Sequence, residues 1–400
     1  MPRRFNCATG LWSILLIFFL SGTKALAEGT NEYGLSDKDL DRYLLKDVNT
    51  GVSLWDQSYA IRAGVGYNDN VLLDHTDPKA SPFFTSGLDA TIFRLPADDW
   101  ECYLFASGDD VRYWQSIGVG SEDLWVVGSK IRRDLGNGWV AGITAGYAYE
   151  DQVLDLLNTS LAVAGFTPAV VIGNTITLGP SIRRDLGTNY WVEFELEGIR
   201  QFFDAPAFSY WQTGVKLTAG RSYGHHSELS LSYEAFEQLY DEPDADPTGE
   251  EIPGTSLREI HQEAELAWRH YWDNKRRWEN TTQLAFEYSR DIDTGYYDYF
   301  RYWAAEQLDF RGRSWNLRAR GEFIHYDYPH EEAEDLTDPN NPVDTGVWYQ
   351  TGFTLNLRIE KRVLSWLKLY MDYNYEHSLS NQSSAHYQVN VITGGGQWDF

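Results

Sequence analysis

Cysteine is nearly absent, with two in 400 residues. Cys7 stands ahead of the N-terminal apolar run, not behind it, and no small-residue lipobox precedes it, which argues against a lipoprotein anchor. With residues 1–27 removed only Cys102 remains, so no internal disulfide can brace the exported chain and another means of closure must hold it. Long apolar runs are also missing: beyond the N-terminus none approaches the roughly 20 residues of a membrane helix. Bases are scarce, 33 Lys and Arg against 59 Asp and Glu for a formal net charge of −26, which argues against nucleic acid as a partner. Motifs that carry chemistry are lacking as well. No glycine-rich phosphate loop follows a strand and opens a helix, and no paired Cys or His-x-x-x-His metal spacing occurs. A hydrolase needs a serine, a histidine and an acid or amide that converge. None of His225, His226, His261, His270, His325, His330, His377 and His386 sits in a spacing that commits it to a base. They are expected as exposed rim residues, with His325 on the lipid side of its strand. The expectation is a non-enzyme with no catalytic residue, no metal and no cofactor.

What is present begins with Arg3 and Arg4, the apolar run Leu11 to Leu20, and small residues ending Ala25-Leu26-Ala27. Together these predict a cleaved signal peptide over residues 1–27 and hence export. Residues 28–56 then form a periplasmic N-terminal segment. Within it Ser36 to Lys46 fits a short helix, with Ser36 as N-cap, Asp39 at the capping-box position and Leu40, Tyr43 and Leu44 on one side. That helix reads either as a lead-in to the first strand or as a plug beneath a pore.

From residue 57 to 400 the dominant pattern is period-2 alternation, in a chain whose residues are 15% aromatic. Tyr190, Val192, Phe194 and Leu196 share one face of a strand, and Trp191, Glu193, Glu195 and Glu197 share the other. No soluble core would accept that second face. A barrel that shows its apolar face to lipid and keeps polar groups inside does accept it. Phe353, Leu355, Leu357 and Ile359 against Thr354, Asn356, Arg358 and Glu360 repeat the pattern. Such runs last about 9 to 14 residues, long enough to cross a bilayer when tilted. They fall near 58–67, 84–95, 99–108, 122–133, 139–149, 170–183, 189–202, 209–221, 227–239, 258–271, 277–289, 298–310, 314–326, 347–361, 365–377 and 386–400. The predicted fold is all-β, an antiparallel up-and-down transmembrane barrel of about sixteen strands, with 14 or 18 as neighbouring solutions.

Connection lengths support that number. Short links, such as Asp134 to Gly138 and Gly187-Thr188, alternate with long ones, of which Asn68 to Phe83, Glu150 to Ala169, Tyr240 to Leu257 and Asp327 to Gly346 all fall on one side. Two short links nearly repeat, Ile131-Arg132-Arg133-Asp134-Leu135-Gly136 and Ile182-Arg183-Arg184-Asp185-Leu186-Gly187, and read as equivalent hairpins. Acids such as Asp241, Glu242, Glu250, Glu251, Glu331 and Glu332 crowd the long loops, and bases such as Arg132, Arg133, Arg183, Arg184, Arg276 and Arg362 crowd the short turns. The loop acids read as solvated tips, or as ligands for divalent cations among lipid phosphates.

On the non-lipid parity the acids Glu193, Glu195, Glu197, Glu263, Glu265 and Asp372 face the bases Arg62, Lys216, Arg318, Arg320, Arg358 and Lys368, and acids are in excess. A sixteen-stranded lumen is too wide for side chains to fill, so these twelve residues are the expected pore lining. Either the charges simply pair along a polar wall, or the two signs occupy opposite walls and create a transverse field that favours cations and neutral dipolar solutes over anions. The third long loop is unusually apolar, with Val153, Leu154, Leu157 and Phe166, a liability if exposed to water. By its position it resembles the third outer loop of many porins, which implies a constriction folded into the lumen, and the competing reading is an added hairpin or strand pair.

The chain ends Gly394-Gly395-Gly396-Gln397-Trp398-Asp399-Phe400. In this the sequence resembles Gram-negative outer-membrane β-barrels, where a terminal Phe on the last strand is read by the barrel-assembly machinery. The resemblance implies that Trp398 and Phe400 serve as the insertion signal. Tyr387, Val389 and Val391 share one parity and Trp398 and Phe400 the other, so a bulge at the glycine run is expected. The opening strand Ile61-Arg62-Ala63-Gly64-Val65-Gly66-Tyr67-Asn68-Asp69-Asn70-Val71 is similar to the start of the putative β-barrel porin-2 group, which implies a porin-like barrel in the cell outer membrane and no catalytic residues. The expected function is a porin-like channel for passive or weakly selective diffusion of small solutes. The rival is the outer-membrane exit duct of a surface-polysaccharide secretion system, although a lumen for anionic polysaccharide would need more base than this one has. Expected partners are outer-membrane lipid and lipopolysaccharide, the assembly machinery, small solutes and, by analogy, further copies of the chain in a homo-oligomer.

Overall fold

The computed structural model describes residues 55–97, 99–115, 119–153, 170–204, 209–224, 226–241, 255–335, 343–381 and 385–400. The expected signal peptide, nearly all of the N-terminal segment with its helix, and Leu154, Leu157 and Phe166 of the third loop lie outside these residues, while Val153 is described by its backbone alone.

Sixteen strands make up the fold: β1 (Trp55–Asn68), β2 (Ser81–Ala97), β3 (Trp100–Tyr113), β4 (Ser121–Gly136), β5 (Trp139–Val153), β6 (Val170–Leu186), β7 (Tyr190–Phe203), β8 (Tyr210–Tyr223), β9 (Ser227–Tyr240), β10 (Arg258–Tyr271), β11 (Trp278–Asp291), β12 (Tyr299–Arg311), β13 (Trp315–Asp335), β14 (Val343–Leu364), β15 (Leu367–Ser380) and β16 (Tyr387–Asp399). Each pairs antiparallel with the next, and β1 pairs with β16 to close the ring. Closure satisfies the backbone of both terminal strands, which no disulfide could brace. Each of the sixteen expected runs overlaps one of these strands.

The short turns use the chemistry that their sequences offer. At β4–β5 the tip residues Gly136, Asn137 and Gly138 all have positive φ, 79°, 56° and 77°, a conformation that glycine adopts without a Cβ penalty. Asp134 fixes that tip by accepting a hydrogen bond from the Gly136 amide at 2.7 Å. At β10–β11, Asp273 accepts the amide of Arg277 at 2.7 Å and the Arg277 Nε at 2.9 Å. That pairing holds its carboxyl below the usual carboxylate range.

Two expectations change. The span from Asp327 to Gly346 is largely strand: β13 and β14 keep pairing out to Asp335 and Val343 through register shifts between Asp327 and Glu332 and between Ala333 and Glu334. Those irregularities destroy the period-2 signal, so alternation alone stopped the strands early. The glycine bulge in the last strand is absent: β16 pairs with β15 in one unbroken register from Tyr387 opposite Ser378 to Trp398 opposite Leu367. Trp398 shares the outward parity with Ile392, 46% exposed, and Phe400, 73% exposed. Tyr387 and Val389, at 3% and 6% exposed, lie on the inward parity instead. They are apolar residues of the interior near the long-loop end, so no reversal of parity is needed.

The two faces differ as a membrane barrel requires. Val65, Leu217 and Leu231 of the outer face are 54%, 52% and 58% exposed, whereas Glu287, His261 and Glu263 of the inner face are 0%, 1% and 4% exposed. A protein that leaves its leucines outside and buries its glutamates is turned inside out for water and correctly arranged for lipid. No helix among the described residues is long and apolar enough to cross a membrane.

Candidate functional site: the charged interior

Because side chains alternate across a strand, every second residue of the ring points inward, and the twelve residues singled out on that parity all occupy it. The structure gathers them into two arcs. From β13 through β15 to β3 the bases are prominent. Arg62 Nη2 lies 3.0 Å from Asp109 and 3.3 Å from Asp89, and Gly87 makes room for them, since a Cβ there would stand 2.6 Å from Asp109 and 2.9 Å from Arg62. Arg318 meets Asp309 at 2.8 Å, Arg320 meets Glu322 at 3.3 Å, and Lys368 meets Asp399 at 3.0 Å. Arg358 reaches Glu360 at 2.7 Å and Asp372 at 3.3 Å, and its guanidinium lies 4.9 Å from the centre of the Tyr370 ring.

The other arc, β7 to β12, is acidic. Glu193, Glu195 and Glu197 follow one another up β7, and Glu263 and Glu265 do so on β10. Lys216 stands opposite Glu195 in the register and 3.6 Å from Glu234. Gln283 donates to Glu265 at 3.2 Å. A belt of hydrogen bonds and ion pairs crosses six strands here. Gln212 donates to Glu197 at 3.2 Å and Gln238 to Gln212 at 2.8 Å. The Tyr240 hydroxyl then lies 2.6 Å from Gln238 and 3.0 Å from Glu259. His261 continues the belt, 3.4 Å from Glu259 and 3.0 Å from Glu287. Arg301 closes it by pairing with both Glu287 and Glu263, while Tyr299 donates to Glu287 at 2.9 Å.

Sequence reading placed Glu263 in this arc and missed Glu259, His261, Glu287 and Arg301. His261 is not an exposed rim residue: it is buried in the wall, stacked on Phe236 with ring centres 4.4 Å apart. Its parity with Glu259 and Glu263 was the available signal. Its contact with Glu287 depends on the β10–β11 register, in which Ser289 opposes His261 and Glu287 opposes Glu263. His325 keeps its outward parity, with Nδ1 2.8 Å from the Thr351 hydroxyl. Among the described residues no group of three or more His, Cys, Asp or Glu is placed to hold a metal ion.

No family model matches the chain, and no curated protein matches it. Among solved structures it is similar to OprB of Pseudomonas putida, at 11% identity over 90% of this chain and 96% of that one with a TM-score of 0.48. OccAB1 of Acinetobacter baumannii matches at 9% identity over 88% and 98% with a TM-score of 0.46. An anion-selective porin from Comamonas acidovorans matches at 11% identity over 86% and 99% with a TM-score of 0.45. On the evidence of its own geometry, a closed sixteen-stranded ring with its apolar side chains outside and its charges within, the chain has the architecture of a porin-like outer-membrane β-barrel.

Proposed function

We propose that the protein is an outer-membrane channel for the passive or weakly selective diffusion of small cationic, neutral or dipolar solutes. The observation that carries this reading is the inward placement of ionisable side chains in a ring of sixteen strands, a circumference that leaves a lumen wider than side chains can fill. The named residues of β1, β7, β8, β10 and β13 to β15 would line the pore. The inward bases Arg62, Arg318, Arg320, Arg358 and Lys368 of the β13–β3 arc each have a carboxylate partner. Glu193 and Glu195 of the acidic arc form no ion pair among the described residues. That imbalance leaves a net negative field in the lumen, which lowers the energy of a cation and raises that of an anion. In this reading Val153, Leu154, Leu157 and Phe166 narrow the pore from the third loop, and Trp398 and Phe400 carry the insertion signal.

Conductance of the purified full chain in planar bilayers tests the proposal. Steady openings with a reversal potential displaced toward the cation equilibrium in a salt gradient are the expected result. A barrel that inserts and passes no current, with or without the third loop, overturns it.

A further inference from the structure

At the short-turn edge, strands of neighbouring hairpins meet without a turn between them, and one juxtaposition recurs at these junctions. Trp100 of β3 stands opposite Arg133 of β4, Trp139 of β5 opposite Arg184 of β6, Tyr190 of β7 opposite Arg221 of β8, and Trp315 of β13 opposite Lys361 of β14. In each the cation lies over the ring, at 5.1, 4.5, 5.4 and 4.9 Å from its centre. Trp55 of β1 and Arg94 of β2 share the same register relation. All four rings are exposed on the outer face, from 37% at Trp139 to 52% at Tyr190.

The bases of these pairs differ from the interior bases named above. In a chain with a formal net charge of −26, Arg62, Lys216, Arg318, Arg320, Arg358 and Lys368 each have a carboxylate within 3.6 Å. Arg133, Arg184, Arg221 and Lys361 have none among the described residues. A guanidinium held by its face on a ring keeps the edge bearing its N–H groups, and that edge matches a phosphate oxygen pair. Indole and phenol rings favour the headgroup level of a bilayer. The opposite edge carries acids instead, among them Asp241, Asp291, Asp293 and Asp298.

We propose that these pairs form a collar that binds the phosphodiester of anionic phospholipids in the leaflet at the short-turn edge. The base takes the phosphate, and the ring beneath it packs at the boundary between glycerol and acyl chain. The collar rests on the reading of the barrel as membrane-spanning.

The test reconstitutes the full chain in phosphatidylcholine vesicles containing a minor share of either brominated phosphatidylcholine or brominated phosphatidylglycerol, and reads quenching of tryptophan fluorescence. Phosphatidylglycerol is expected to quench as though enriched roughly two- to fivefold at the protein surface, with the enrichment falling as salt rises. The combined variant Arg133→Gln, Arg184→Gln, Arg221→Gln and Lys361→Gln should lose it. Arg133→Lys with Arg184→Lys and Arg221→Lys should keep it, as should Arg290→Gln at the opposite edge. If the combined variant does not insert, Arg133→Gln and Arg184→Gln taken singly should each lower the enrichment. Equal quenching by the two lipids in the native chain, or enrichment that survives the glutamine substitutions, overturns the collar. A native chain that fails to insert in either vesicle overturns the membrane reading itself.

Discussion

Arg301 is the residue on which the acidic belt depends. It is 6% exposed and pairs with Glu263 and Glu287, which are 4% and 0% exposed. Replacing it by leucine removes the guanidinium that both buried carboxylates share, a loss of about 3–5 kcal/mol in a buried pair. Arg301→Leu should therefore lower the urea midpoint of the reconstituted barrel strongly, and adding Glu287→Gln should recover part of the loss. Gly395 is a second single point of failure, for steric reasons. A Cβ there would stand 2.3 Å from the Ala63 carbonyl oxygen and 2.7 Å from the Tyr370 hydroxyl. Backbone cannot yield at that distance, so Gly395→Val should weaken the β1–β16 seam by about 1–3 kcal/mol and reduce the fraction of chain that migrates as compact barrel in unheated gel samples. Neither residue stood out in the sequence. Arg301 alternates like any other interior base, and the run Gly394-Gly395-Gly396 suggested a bulge where the fold needs close approach of two backbones in regular register.

Within a strand, the identity of a position matters less than its parity. Asn356 and Leu357 are neighbours on β14, the first inward and the second 37% exposed on the outer face. Leu357→Arg should cost about 2–4 kcal/mol if it lies near the bilayer midplane. Asn356→Arg should leave the unfolding midpoint nearly unchanged and make the channel less cation-selective. This parity was the part of the fold most legible from residues alone, because Phe353 to Glu360 alternate without interruption. What could not be read was everything that depends on register between strands, such as the meeting of His261 with Glu287, and everything beyond a register shift, such as the upper part of β13. The long-loop connections show a similar limit. His75, between β1 and β2, lies tilted against His386, just before β16, at 4.4 Å between ring centres, and His377 lies 5.8 Å from His386. Burial, and then the two neighbouring imidazoles, push the His386 pKa below its ordinary value. The folded loops therefore favour neutral His386, while an opened loop binds its proton near the ordinary value of about 6.5. Above that pH the group has no effect on local stability, and stability falls as pH drops through the window below it. Hydrogen-exchange protection around His75 and His386 should fall as pH drops below about 6.5, and His386→Gln should flatten the dependence.

For the molecule as a whole, the arrangement of charge has more consequence than its total. An acidic net charge by itself describes solubility and steering, and most of the interior charge is cancelled locally: Arg358 by Glu360 and Asp372, Arg62 by Asp89 and Asp109, Lys368 by Asp399. In the proposed channel a crossing solute responds to what is left over. On the β13–β3 side little is left, whereas on β7 the consecutive inward residues Glu193 and Glu195 lie opposite Arg183 and Lys216 in the register and form no ion pair with either among the described residues, since Arg183 pairs with Asp185 and Lys216 with Glu234. In the proposed channel the residual field is transverse as well as negative, pointing across the lumen toward β7. Two substitutions separate its components. Glu193→Gln with Glu195→Gln removes the unpaired charge and should move the reversal potential in a salt gradient toward zero while leaving the open conductance in high salt almost unchanged. Arg318→Gln with Arg320→Gln removes bases from the opposite arc and frees their carboxylates, so it should move the reversal potential further toward the cation equilibrium. If both double variants shifted it in the same direction, selectivity would follow some other feature of the lumen and not the balance between the two arcs.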